Sequence, residues 1–126
     1  MKYDETELIE FFGILPSEQD LEEKEFFGTT IFDYRQNNYH LSISFSIYRN
    51  DFYLDLKDSA LEEPILQLRF ERVEEIRVRR DKPTSVPALT VKVRCDAEED
   101  EKAGLMQAIQ IGLEPNICIS FTNRFE

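Results

Sequence analysis

The stretch YHLSISFSIYRNDFYLDL, residues 39–56, decides the fold. Its apolar residues Tyr39, Leu41, Ile43, Phe45 and Ile47 alternate with His40, Ser42, Ser44 and Ser46. Successive side chains of a strand point to opposite faces, so this run predicts a β-strand with one dry side and one wet side. Arg49-Asn50-Asp51 breaks the pattern, and it resumes with Phe52, Leu54 and Leu56 set against Tyr53, Asp55 and Lys57. That is the return strand of a hairpin. A half-buried antiparallel sheet satisfies both runs.

Working outward towards the N-terminus, Phe26 to Gln36 is rich in Phe, Thr, Ile and Tyr, and Asn37-Asn38 separates it from Tyr39 as a two-residue hairpin turn does. Asn accepts the positive φ of a type I′ turn. Ser17 to Glu25 is acidic and carries at most a short helical turn. Residues 3–13 predict a capped helix, with Asp4 as N-cap, Glu7 completing a capping box, and Tyr3 and Leu8 as a hydrophobic staple. Gly13 ends it. Leu8, Ile9, Phe11 and Phe12 make a helix this short too apolar to stand alone, so it is expected to pack on the sheet through Leu8, Phe11 and Phe12.

Towards the C-terminus, a polar loop ending at Pro64 leads to Ile65–Glu71, with Leu66, Leu68 and Phe70 inward. Val73–Arg80 reads as a further strand, and residue types leave open whether Arg72 to Glu74 forms a tight turn or a bulge before it. Pro83 and Pro87 define a loop, since neither donates to a ladder. Leu89, Val91, Val93 and Cys95 then alternate as a strand antiparallel to Val73–Arg80. Residues 103–113 carry both periods: Leu105, Met106 and Ile109 have helical spacing, whereas Ile109, Ile111 and Leu113 alternate. A short helix giving way to a strand near Ile109 is the expectation. Ile117, Ile119 and Phe121 close the chain as a last strand. The core is expected from Leu41, Ile43, Phe45, Leu54, Leu56, Leu66, Leu68, Val91, Val93, Ile119 and Phe121 on one shared side of the sheet.

The whole is expected to be a single domain, residues 1–126, mainly β (α+β): an antiparallel curved sheet or flattened barrel of about seven strands with the N-terminal helix packed on it. A chain of 126 residues, 41% hydrophobic, is long enough to bury a core without disulfide or metal. Fifteen Lys and Arg stand against 26 Asp and Glu, a formal net charge of −11. That balance opposes sequence-independent binding to nucleic acid or to an anionic membrane. With no long apolar run, and Met1-Lys2-Tyr3-Asp4 where a secretory leader needs a basic and then apolar start, a cytoplasmic location is expected. Cys95 and Cys118 lie in strand-like runs and are expected to be reduced thiols; with one histidine in the chain, no metal or other cofactor is expected.

Markers of catalysis are missing from the sequence: no Gly-rich phosphate loop, no nucleophile elbow, no His pair at metal spacing. His40 lies on the polar side of its strand beside Ser42 and Ser44, where a solvent-facing role is favoured over a general base, which needs an orienting acid and a cleft. The residue types therefore assign no catalytic residue and favour a non-enzyme. Two charged groups are candidates for binding. Glu18, Asp20, Glu22 and Glu23, with Glu98, Glu99 and Asp100, form acidic segments, read either as solvated surface or as a docking face for a basic protein. Arg77, Arg79, Lys92 and Arg94 are brought together if their two strands pair through the Pro83–Pro87 loop. Such a cluster needs an anion, either Glu71, Glu74, Glu75 or residues 96–101 of the same chain, or a ligand that suits the flat fork of Arg.

An opening helix with Phe11-Phe12-Gly13, then Leu68-Arg69-Phe70-Glu71, then Val73-Glu74-Glu75-Ile76-Arg77-Val78, in a small acidic chain, resembles the small β-rich immunity-type proteins that bacteria carry against toxin enzymes. The likeness covers about the middle half of the chain and carries over no functional residues. It implies a protein that works by being bound, presenting acidic side chains to a basic site. Alternatives of other classes are a small-molecule-binding or enzymatic barrel using the Arg/Lys cluster, and a structural subunit that pairs as a homodimer through an exposed edge.

Overall fold

The computed structural model describes residues 1–17, 28–80, 86–95 and 105–125. Among the described residues one helix, α1 (Glu5–Phe12), is followed by eight strands: β1 (Thr29–Gln36), β2 (Tyr39–Ser46), β3 (Asp51–Asp58), β4 (Leu66–Phe70), β5 (Val73–Arg79), β6 (Ala88–Cys95), β7 (Leu105–Gly112) and β8 (Cys118–Phe125). They form two four-stranded antiparallel meanders, β1-β2-β3-β4 and β5-β6-β7-β8. The mainly-β expectation holds. The finer expectation of about seven strands in one curved sheet or flattened barrel does not: there are eight strands, and among the described residues neither sheet closes on itself. The chain divides into two compact units, residues 12–71 and residues 1–11 with 72–126. The break falls at Arg72, which sits at a φ of 61° between β4 and β5.

In the unit of residues 12–71, the register aligns Phe32, Ile43, Leu54 and Leu68 across all four strands, with Thr30, Phe45, Phe52 and Phe70 in the next row on the same face. Phe32, Leu41, Ile43, Phe45 and Phe52 are wholly buried, and Leu54 nearly so. Leu56, Leu66 and Leu68 are only half-buried. For Leu66 and Leu68 the reason is position, since β4 is an outer strand. Phe12 stacks on Phe32, ring centroids 5.1 Å apart and 22° from parallel, and this pair ties the end of the helix into the unit's core. Gln36 pairs with Tyr39 across Asn37-Asn38, as expected for a two-residue turn. Of the two asparagines only Asn37 has a positive φ, 55°, so the turn departs from type I′.

In the other unit, Ile76, Val91, Ile109 and Phe121 align across β5 to β8, and Val78, Leu89, Ile111 and Ile119 form the next row. Ile76, Leu89, Val91, Ile109 and Ile111 are wholly buried, and Val73 and Val93 are nearly so. Phe121, expected in the core, is 49% exposed because β8 is an outer strand. The eleven residues expected on one shared side of one sheet are thus split between two sheets. Residues 105–112 are strand throughout, paired residue for residue with β6 on one side and β8 on the other, which corrects the expected helix before Ile109. A register shift between Val73 and Glu75 makes the start of β5 a bulge.

The N-terminus closes the free edge of β5. Lys2 N donates to Glu74 O at 2.8 Å and Ile76 N donates to Lys2 O at 2.8 Å, so Lys2 forms a parallel bridge with Glu75. The next outward amide, Val78 N, donates to the Glu7 carboxylate. Asp4 does cap the helix, its Oδ1 accepting from Thr6 N at 2.9 Å and Glu7 N at 3.3 Å. The Glu7 side chain expected to complete a capping box instead satisfies an edge amide that would otherwise invite a foreign strand. No helix among the described residues is long and apolar enough to cross a membrane.

Candidate functional site

Period-2 alternation fixes what each sheet presents on its polar face. On β1 to β3 that face carries two successive rows: Asp33, Ser42 and Asp55, then Arg35, His40 and Lys57. His40 Nε2 lies 3.1 Å from Asp33 Oδ1, and Ser17 Oγ donates to Asp33 Oδ2 at 2.8 Å. Burial by itself would push the Asp33 carboxyl up, but hydrogen bonds from Ser17, Ser42 and His40, together with the imidazolium charge, hold it below its ordinary value. A depressed carboxyl adds stability that is fully present above the unfolded group's titration and is lost as pH falls through the lower, folded value. Asp33→Asn should therefore melt slightly below the parent near neutral pH and together with it well below the carboxylate range. Paired thermal melts at the two pH values check this, and a constant deficit would deny the charge any part in it. The imidazole thus has an acid partner, and both groups are substantially exposed, 30% and 44%.

The row Arg35, His40, Lys57 opens onto a hollow of about 330 Å³ at the end of the sheet, walled by the Asn37-Asn38 turn on one side and by Asp58 and Leu61 on the other. Sequence reasoning missed this site. The signal was available: a two-residue turn at Asn37-Asn38 forces Arg35 opposite His40, and the next hairpin forces Lys57 opposite His40. At the other end of the same face the Arg69 guanidinium lies 5.3 Å from the Tyr53 ring centre and 3.4 Å from the Glu71 carboxylate.

The expected basic cluster does assemble on β5 and β6, and the chain itself supplies its anion. The half-buried Glu75 carboxylate lies 3.3 Å from Arg79, 3.6 Å from Lys92 and 4.0 Å from Arg77, while Arg94 lies 4.0 Å from Glu74. The register sets Glu75 directly opposite Lys92, and its one carboxylate screens part of the repulsion among the three cations it gathers. Beside them Thr90 is buried, its Oγ1 without a hydrogen-bond partner. The acidic candidates Glu18, Asp20, Glu22, Glu23, Glu98, Glu99 and Asp100 all lie outside the described residues. Of the two cysteines, Cys118 is an exposed free thiol. Among the described residues no three His, Cys, Asp or Glu side chains converge as a metal site.

No family model matches the chain, and no curated protein matches it. Its fold is similar to that of a chain in a solved contact-dependent growth inhibition toxin–immunity protein complex from Klebsiella pneumoniae 342, with a TM-score of 0.73 and 18% identity, covering 97% of this chain and 95% of that one. At that identity the likeness is one of fold.

Proposed function

We propose that this protein is a non-enzymatic, immunity-like binding protein that neutralises a basic protein partner by occupying it. The observation that carries the reading is the near end-to-end fold likeness to a chain of a toxin–immunity complex. Two properties favour the immunity side. The charge balance of −11 repels nucleic acid and suits a basic protein surface, and the Arg77, Arg79, Lys92, Arg94 cluster is occupied by Glu74 and Glu75 in place of a substrate. The acidic segments with Glu18, Asp20, Glu22 and Glu23, and with Glu98, Glu99 and Asp100, are the proposed contact surface.

Attraction between exposed charges acts over about a Debye length, roughly 8 Å at physiological salt, and mainly sets the association rate. With the partner recovered from cells, association measured by surface plasmon resonance should slow about tenfold or more as salt rises from low to several hundred millimolar, while dissociation changes far less. The double variant E22K/E23K should reproduce that slowing at low salt and keep the parent's melting temperature, the pattern of charges that serve association and not folding. Association indifferent to both salt and charge reversal would sink the acidic-face reading.

A further inference from the structure

Arg35 and Lys57 stand out in an acidic molecule. Each lies directly across from His40, one on either side, so three basic side chains share one row of one face. Arg35 and Lys57 stand two strands apart with His40 between them, and a fold selected only for stability would set a carboxylate beside each. Carboxylates are at hand: Asp33 and Asp55 stand one row back on the same face, and Asp58 lines the hollow. None of them reaches the two cations. Asp33 is taken by Ser17 and His40, Asp58 Oδ1 accepts from Ala60 N at 2.9 Å, and among the described residues neither Arg35 nor Lys57 has an ion pair. The contrast is with Glu75, where a single carboxylate collects three cations.

We propose that the hollow beside the β1–β2 turn is a binding site for a compact oxyanion, carboxylate or phosphate, held between the Arg35 guanidinium and the Lys57 ammonium over His40. With strands roughly 4.8 Å apart, β1 and β3 are about 10 Å apart, a gap that two long flexible cations close onto one small group. The hollow is of the size that takes a small organic ligand. Arg supplies a planar fork matched to two oxygens and Lys a movable point charge. Asn37 and Asn38 add amide donors at the rim, and Leu61, 59% exposed, gives one apolar wall for the body of a ligand. Asp58 on the opposite side limits the site to a small or singly presented anion, and the overall charge of −11 disfavours long polyanions such as nucleic acid. The proposal does not depend on the acidic segments or on the identity of a protein partner.

The test is titration of the intact protein, followed by amide chemical shifts at constant ionic strength in sodium chloride, with three probes: inorganic phosphate, citrate, and a blocked triglutamate peptide. At least one should bind saturably, with shifts at residues 35–40 and 57–61. Arg35→Gln and Lys57→Gln should each weaken it about tenfold, and Arg69→Gln, a cation on the same face outside the hollow, should leave it unchanged. Saturation by phosphate or citrate identifies a free small anion as the occupant, whereas saturation by the peptide alone identifies acidic side chains of a partner. Because Arg35 has no ion pair to lose among the described residues, Arg35→Gln should melt at or above the parent temperature in anion-free buffer. No saturable probe, binding indifferent to Arg35 and Lys57, or a lowered melting temperature of Arg35→Gln would each overturn the proposal.

Discussion

Phe45→Ala is expected to cost about 3–5 kcal/mol, the usual loss when a buried aromatic is truncated and its site cannot collapse. Phe45 has no exposed surface and lies on an inner strand, paired with Thr30 on β1 and Phe52 on β3. Backbone ladders on both sides hold those strands at fixed spacing, so the vacated volume stays empty, and each lost contact adds to the transfer term. Chemical denaturation should show a lower midpoint with little change in slope. Phe121→Ala is the internal comparison: an aromatic of the same size, but half-exposed on an outer strand, should cost much less. A loss below about 1 kcal/mol for Phe45→Ala would mean that the inner face of this sheet has been misplaced.

The second large effect is expected at Gly28, which has a φ of 57° and leads directly into β1. A Cβ built there would lie 2.6 Å from Ile47 Cγ1 and 3.0 Å from Tyr48 Cδ2, and Ile47 N donates to Gly28 O at 3.2 Å. The side chains of the turn after β2 therefore lie against this backbone, and a Cβ here obliges Ile47 and Tyr48 to shift. Gly28→Ala combines a left-handed conformation, costing roughly 1–2 kcal/mol for a residue with a Cβ, with an overlap costing another 1–3. A total of about 2–5 kcal/mol follows. Gly13 separates the two contributions, because it has a φ of 69° but nothing within 4 Å of its would-be Cβ. Gly13→Ala should lose the conformational part alone, and equal losses at the two glycines would show that the Ile47 contact is unimportant.

Much of this architecture is visible in residue order, and the parts that are not share a cause. The hairpin of residues 39–56 announces itself because serines and apolar residues alternate without a fault, and the paired register follows from that. The change of sheet after Phe70 does not announce itself. Glu71-Arg72 contains no Gly or Pro, and the positive φ is carried by Arg72, so two β runs separated by two residues look like neighbours in one sheet. For β7, Leu105, Met106 and Ile109 carry a helical period, but its position between two partner strands outweighs local preference. The candidate site divides in the same way. The Arg77, Arg79, Lys92, Arg94 cluster was legible from alternation, and its neutralisation by Glu75 was one of the readings left open, since residue types do not show which carboxylate turns inward. The Arg35–His40–Lys57 row required three strands in register, and no single strand displays it.

The closure of the β5 edge by Lys2 and Glu7 bears on the order in which the chain can mature during synthesis. Strands β1 to β4 form a locally paired meander, and such a meander can condense as soon as it leaves the ribosome. Residues 1–11 emerge before it, but their partners Glu74, Ile76 and Val78 come some 70 residues later. This segment is therefore later to find its place than the meander that follows it. At about 5–20 residues per second, translating residues 72–126 takes roughly 3–11 s. Until then the helix, whose Leu8 is wholly buried in the finished fold, waits for the β5 edge that Glu7 bonds.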